Sequence, residues 1–332
     1  MEIRIEIQET DALKIKADVL ILKYAQEFHG VDSLAYFQLA TTRKDIERKL
    51  PKPNDFLLLE SRGSLGASHV LFCGVAEVLK FRYKQIRDFS FRALKHLSEV
   101  KPDTEHICLT VHGANYGLDE DEAFRSEVAG LVDAIEKGFY PPGLRKISIA
   151  EFYEPRAKRL KPVLANLFPE GVIGVENKIS LARRSITTDR LNEAGLTSED
   201  KPLIFVAMPF DKKMDDIFHY GIRNAVNTAG YLCERADDAI FTGDILELIK
   251  QRIGKASLVI ADLTSANPNV YLEVGYAWGL GIPTVLLGQD VSELKFDVKG
   301  QKCIIYSGIK ELEEKLSKEL MGLKKNPPSR RH

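Results

Sequence analysis

The residues best suited to chemistry lie in one stretch: Ala261-Asp262-Leu263-Thr264-Ser265-Ala266-Asn267-Pro268-Asn269-Val270-Tyr271-Leu272-Glu273-Val274-Gly275-Tyr276-Ala277. Asp262 follows the apolar run Ser257-Leu258-Val259-Ile260-Ala261, at the carboxyl end of a strand, where open α/β sheets bind their ligands. Glu273 is one carboxylate within a nearly apolar helical pattern, and Asn269 sits one turn earlier on the same face. A charge placed there is costly unless something pairs it or uses it. Two carboxylates converging on one crevice form the arrangement that glycosidic cleavage requires. The plainer alternative makes Asp262-Leu263-Thr264 a capping turn and Glu273 a salt-bridged core residue.

The elements that must position these groups are legible. Asn267 is a good N-cap, Pro268 suits the first helical position, and the helix stops at Gly281. Around it, strands are expected at 203–207, 231–235, 258–261, 284–287 and 303–306. Helices are expected at 213–229, 243–255, 268–281 and 309–321. This alternation predicts a flavodoxin-like, five-stranded, mostly parallel sheet with helices on both faces. Met208-Pro209-Phe210 ends the first strand and forms a pocket wall whose apolar side chains suit a base or ribose; a proline-stiffened turn is the alternative. Arg235 and Asp237 leave the second strand on the same rim. Arg235 suits a phosphate or carboxylate, or a simple surface pair with Asp238. Gly243 opens a helix whose free N-terminus can receive a phosphate oxygen. Asn267 and Tyr276 complete the candidate substrate contacts.

From Pro202 to Ser307 the chain resembles the nucleoside 2-deoxyribosyltransferase family and its hydrolase relatives. The resemblance rests on Ile204-Phe205-Val206-Ala207-Met208-Pro209-Phe210, Arg235-Ala236-Asp237-Asp238, the Asp262 strand end, and Asn267-Pro268-Asn269 with Glu273-Val274-Gly275-Tyr276-Ala277. It implies that Glu273 attacks C1′ of a ribose or deoxyribose and forms a covalent glycosyl-enzyme. Asp262 then orients Glu273 or the sugar, or handles the proton on the departing base. Asn269 holds a sugar hydroxyl or the Glu273 carboxylate. Water or a second base resolves the intermediate. TIR domains are similar in general architecture, carry a helix-borne glutamate, and hydrolyse NAD, so NAD joins nucleosides and nucleotides as an expected substrate.

The N-terminal half alternates strands (3–7, 17–22, 55–60, 68–75, 106–111, 146–152) with helices (81–100, 120–137, 156–167), which predicts a mixed α/β sandwich. Phe81, Ile86, Phe89, Ala93 and Leu97 recur at helical spacing and read as core. Ile15-Lys16-Ala17-Asp18-Val19-Leu20-Ile21-Leu22 with Gly30-Val31-Asp32, and His112-Gly113-Ala114-Asn115-Tyr116-Gly117-Leu118-Asp119, resemble a macro domain or the macro-like N-terminal domain of leucine aminopeptidases. The resemblance implies binding of ADP-ribose or a related nucleotide. His112, Gly113, Asn115 and Gly117 then form a ligand loop after a strand, where backbone N–H groups can cradle a phosphate. A turn whose glycines only satisfy backbone geometry, with a structural His112, is the alternative.

With 332 residues the chain is long enough for two cores. The expected division is a macro-like domain at 1–170, a polar connection at 171–200, a catalytic domain at 201–325 and a disordered tail at 326–332. A short helix is expected around 179–190. Forty-seven Lys and Arg against 48 Asp and Glu leave a net charge of −1, so the partners expected are small molecules, with no direct nucleic acid and no membrane. No apolar run reaches transmembrane length, and the alternating start Met1-Glu2-Ile3-Arg4-Ile5-Glu6 is no signal peptide. Cys73, Cys108, Cys233 and Cys303 are scattered and read as buried small hydrophobes in a reducing cytoplasm, with neither disulfide nor metal site. No cofactor is expected, and a homo-oligomer is. The functional expectation is therefore an N-glycosidic hydrolase or transferase, regulated by nucleotide binding to the N-terminal half. The alternative is a nucleotide-sensing protein resembling bacterial immune effectors, with either a TIR-like NAD hydrolase or an inactive C-terminal pocket.

Overall fold

The computed structural model describes residues 2–43, 46–174, 186–235, 245–295, 298 and 300–326. The chain divides into two compact units: Met1–Ala114 with Glu120–Glu199, and Asn115–Asp119 with Asp200–His332. The fold class is mixed α/β in two units, as the alternation of elements predicts.

The first unit holds a seven-stranded sheet: β1 (Glu2–Gln8), β2 (Val19–Tyr24), β3 (Phe56–Glu60), β4 (His69–Gly74), β5 (His106–Thr110), β6 (Lys146–Ala150) and β7 (Val172–Gly174). Their order is β3-β4-β2-β5-β6-β1-β7. Pairing is parallel from β4 through to β1 and antiparallel at the edges, β3 on β4 and β7 on β1. The central run Val19-Leu20-Ile21-Leu22 is wholly buried, as expected of a parallel strand covered on both faces. The helices are α1 (Val31–Ala40), α2 (Tyr83–Val100), α3 (Glu120–Glu136), α4 (Glu154–Leu167) and α5 (Ile186–Glu193). Phe81, Ile86, Phe89, Ala93 and Leu97 are all buried.

Three features depart from the sequence reading. Helix α1 was not expected, because it opens on Gly30 at φ +59° without a side-chain cap and so reads as a turn. Strand β7 is only three residues long, yet it adds an edge by pairing Ile173 with Ile3. The stretch 171–200, read as a connection, thus contributes β7 and α5 to the first unit. Part of the helix expected around 179–190 lies outside the described residues.

Arg87 ties the end of that stretch down. Its guanidinium donates to both Asp133 oxygens at 2.7 and 2.8 Å and to the carbonyls of Asn192 and Ala194 at 2.7 and 2.6 Å. Gly195, at φ +79°, passes so close that a Cβ would meet the Arg87 Cβ at 2.8 Å. Its amide donates to Ser198, and Ser198 donates to Glu122 on α3.

In the second unit β8 (Leu203–Ala207), β9 (Leu232–Glu234), β10 (Leu258–Asp262), β11 (Thr284–Gly288) and β12 (Cys303–Ile305) form one sheet in the order β12-β11-β10-β8-β9. All described pairings are parallel. Counted within the unit the order is 2-1-3-4-5, the flavodoxin-like winding. The helix expected at 213–229 is interrupted: α6 (Lys212–Asp216) and α7 (Asn224–Thr228) flank a π-helical stretch, Ile217–Arg223. The remaining helices are α8 (Ile245–Lys255), α9 (Pro268–Gly279) and α10 (Ile309–Lys325).

Strand alternation sorts the core into two layers. Ile204, Val206, Leu258 and Ile260 face a layer with Val226 of α7 and Leu312, Leu316 and Leu320 of α10. Phe205, Ala207, Val259 and Ala261 face the other, with Ile249 and Ile253 of α8 and Val270, Val274 and Ala277 of α9. Each fully buried leucine of α10 contributes about 1.5–3 kcal/mol. All four cysteines are free, three of them buried; burial pushes Cys108 up to about 12 and Cys303 up to about 11. Among the described residues no helix is long and apolar enough to cross a membrane.

Candidate functional site

In the 2-1-3-4-5 winding the strand order reverses between β8 and β10. There the connections leave toward opposite layers and open a crevice at the carboxyl ends of the strands. Met208 and Pro209 follow β8 and are buried, while Phe210 is exposed. Asp262 ends β10.

Asp262 is fully buried, and both of its oxygens are engaged. Oδ1 accepts from the Thr264 amide at 3.0 Å, and Oδ2 accepts from the Tyr306 hydroxyl, just beyond β12, at 2.6 Å. By alternation its side chain shares the layer of Leu258 and Ile260, which also contains Tyr306. Helix α9 lies in the other layer. The expected pairing of two carboxylates in one crevice is not what these bonds show: Asp262 is engaged by Thr264 and Tyr306 in the layer opposite α9. A buried carboxylate with both oxygens bonded is a poor proton carrier but a good anchor.

Asn267 caps α9 as predicted, its side chain accepting from the Asn269 amide at 2.9 Å with Pro268 at the first helical position. Val270, Val274 and Ala277 form the buried face. Asn269, Glu273 and Tyr276 run in a stripe along one flank, at spacings of four and three residues. Glu273 and Tyr276 are half-buried and Asn269 is exposed. The orientation of that flank follows from Tyr271, whose hydroxyl accepts from the Lys295 amide beyond β11 at 3.1 Å. Glu273 is about 200° further round the helix. Its flank therefore turns away from β11, toward β8 and α8.

The turn between β10 and α9 is strained. Ser265 and Ala266 hold left-handed backbones, φ +61° and +47°, although neither is glycine. The Ser265 amide is held by Glu293 at 2.9 Å. Such strain persists only where surroundings over-determine it, and it gathers at ligand sites. Nothing in the residue types announced it.

Arg235 gathers the second-strand end and the first-strand end. Its guanidinium lies 4.1 Å from the Phe218 ring centroid and 5.9 Å from that of Phe210, and donates to the Met208 sulfur at 3.7 Å. It approaches Asp215 of α6 at 3.7 Å. The structure thus brings Met208, Phe210 and Arg235 together; Phe218, in the π-helical stretch, is a member that sequence reasoning missed. π-Helical turns are rare and frequent at functional sites, but single sequences carry no signal for them. On the other face Glu234 of β9 is fully buried and paired with Arg252 of α8. Asp237 and Gly243 lie outside the described residues.

In the first unit His112 and Gly113 follow β5. His112 is buried; its Nδ1 lies 2.7 Å from Glu127 Oε1, and its amide donates to Glu127 Oε2 at 3.2 Å. The ring meets Phe89 edge-on at 4.7 Å, and Nε2 has no hydrogen-bond partner among the described residues. Gly113 and Gly117 adopt φ +85° and +75°, which accounts for glycine at both positions without a ligand. Asn115 and Gly117 group with the second unit, where Asp119 accepts from the Cys233 amide at 2.9 Å. Beyond the adjacent β6, Phe152 is 80 % exposed. Among the described residues no three His, Cys, Asp or Glu side chains gather as a metal site.

No family model matches this chain. No curated protein matches it either. Solved structures similar to it include macrodomains. One, from Trypanosoma brucei in complex with ADP, is 17 % identical, spans 48 % of this chain and 68 % of its own, and has a TM-score of 0.39. An Oceanobacillus iheyensis macrodomain mutant with ADPR is 12 % identical over 51 % of this chain and 100 % of its own, with a TM-score of 0.39. The macrodomain of Thermus aquaticus DarG is 12 % identical over 44 % of this chain and 97 % of its own, with a TM-score of 0.35.

Proposed function

We propose that the second unit is an N-glycosidic hydrolase or transferase with Glu273 as its nucleophile. What supports this reading is the half-buried Glu273, on the flank of α9 that turns away from β11, toward β8 and α8. The Glu273 carboxylate attacks C1′ of a ribose or deoxyribose on the face opposite the base. The C1′–N bond breaks, its electron pair leaves with the base, and a glycosyl ester remains on Glu273. Water resolves that ester in a hydrolase, a second base in a transferase.

The other residues take roles consistent with their placement. Arg235, banked on Phe218, attracts a phosphate or carboxylate of the substrate, while Met208, Pro209 and Phe210 offer apolar surface to its base or ribose. Asn269 and Tyr276 share the Glu273 flank and suit sugar hydroxyls; Asn267 holds the start of α9. Asp262, held by Tyr306, fixes the strand end from which that helix departs, so it is a positioning residue. Asp237 and Gly243 remain candidates for the rim by their place in the chain. NAD is a suitable substrate because its nicotinamide departs from a cationic N-glycoside as a neutral base. Incubating the protein with NAD, nucleoside monophosphates and deoxynucleosides, and following the released base chromatographically, tests the reading.

The first unit is proposed to recognise a nucleotide, ADP-ribose among them, at the strand ends that carry His112, Gly113 and Phe152. An exposed aromatic ring beside a glycine turn is suited to stack on a base. Stimulation of base release by a second nucleotide would make this unit the sensor of a regulated enzyme.

A further inference from the structure

A cavity of about 520 Å³ opens at the β3 edge of the first unit, lined among others by Lys49, Lys52, Asn54, Asp55, Phe56 and His96. None of these residues belongs to either site described above. The volume falls within the roughly 300–1,000 Å³ of small-molecule sites. Its wall is a rigid, tied turn. Asn54 holds a left-handed backbone at φ +75°, its amide donates to the Gly74 carbonyl at 3.0 Å, and the Gly74 amide donates to the Asp55 carbonyl at 2.9 Å. The chain approaches so closely that a Cβ on Gly74 would meet the Lys52 carbonyl oxygen at 1.9 Å. Arg92 locks this turn by donating to Asn54 Oδ1 and to the Gly74 carbonyl, with its guanidinium 5.6 Å from the Phe56 ring centroid.

Two kinds of recognition meet here. Phe56 and His96 stack nearly parallel, 4.2 Å apart with 9° between their planes. Burial lowers the His96 pKa, so near neutral pH its half-buried ring is an uncharged plane. Lys49 and Lys52 line the same cavity, together with Asp55, and lysine ammonium groups are point-charge binders of phosphate. A stacked aromatic plane beside two ammonium groups suits a small ligand that is aromatic at one end and dianionic at the other. We propose that this corner is a binding site for a nucleoside monophosphate, separate from the crevice of Glu273 and from the strand ends of His112.

Titration of the full chain with AMP, and separately with adenosine and with inorganic phosphate, tests the proposal by calorimetry and by the imidazole resonances of His96. AMP is expected to bind and shift those resonances, and adenosine and phosphate to bind more weakly than AMP. Lys52→Glu, at an exposed position, and His96→Leu, at a half-buried one, should each weaken AMP by roughly tenfold, the scale of one lost polar or stacking contact, with melting unaltered in Lys52→Glu. Because AMP is also a candidate ligand of the Glu273 crevice, the His96 resonances are the readout specific to this corner. Absence of AMP binding at millimolar concentration, or AMP binding that neither Lys52→Glu nor His96→Leu weakens, overturns the proposal.

Discussion

The Tyr306 hydroxyl donates to Asp262 Oδ2 at 2.6 Å, linking the end of β12 to the end of β10 across β11 within one buried layer. This bond fixes what Asp262 can do. Its second oxygen is held by the Thr264 amide at the start of the strained turn, so the carboxylate braces the connection that delivers α9. Tyr306→Phe removes the donor and leaves a buried carboxylate oxygen unpaired. The expected cost is about 1–3 kcal/mol in chemical denaturation. Base release should fall with it, because the Glu273 helix begins from this turn.

The same bond predicts a pH dependence. Burial, and then the neighbouring Asp262 charge, raise the Tyr306 pKa above its ordinary value of 10.0. A group whose folded pKa is raised contributes stability that is intact below the unfolded value and is lost as pH rises past it. Stability should therefore fall progressively above about pH 10, the unfolded tyrosine value. The thiols of the buried cysteines, also raised by burial, act in the same direction. Tyr306→Phe should flatten that alkaline slope relative to the parent in denaturation curves taken between neutral and alkaline pH. An unchanged slope would remove Tyr306 from the account.

Arg87→Met should loosen the end of the first unit. The substitution strands the Asp133 carboxylate and leaves the Asn192 and Ala194 carbonyls without their donor. About 3 kcal/mol should be lost, the scale of a broken, mostly buried ion pair. Limited proteolysis should begin to cut between 186 and 199, where the parent resists. Melting and cleavage patterns that match the parent's would contradict the clamp.

Gly130→Ala tests the packing of α2 on α3. A Cβ there would meet the Arg87 carbonyl oxygen at 2.1 Å, so the helices must part. Overpacking of this kind costs roughly 1–3 kcal/mol. A fully stable Gly130→Ala protein would mean that the two helices are not so tightly apposed.

The elements of the second unit were legible because their signals are local. Asn267 and Pro268 announce the start of α9, and five apolar runs separated by helical periods announce a wound parallel sheet. The sequence could not show which layer a strand-end side chain enters. Asp262 and Glu273 looked convergent on paper. One residue of alternation sends Asp262 to Tyr306 in the opposite layer, and that partner lies 44 residues away. The π-helical stretch and the left-handed Ser265 and Ala266 were invisible for a related reason, since tertiary packing, not residue type, imposes them. In the first unit, α1 and β7 hid behind glycines at positive φ, which read as breaks.

Arg235→Met should separate binding from chemistry. It keeps the apolar packing on Phe218 but removes the guanidinium charge. For an anionic substrate KM should rise about tenfold with kcat little altered. A proportional fall in kcat alone would place Arg235 in the chemical step instead.

The most direct measurement is base release from NAD and from nucleoside substrates by the parent protein and by Glu273→Gln, compared at matched thermal stability. The substitution keeps shape and removes the nucleophile. A drop on the order of 10³ or more is therefore expected, with no glycosyl-protein adduct in the variant's mass spectrum where the parent forms one. Equal turnover by a folded Glu273→Gln protein, or no base release by the parent from any of these substrates, would contradict the account.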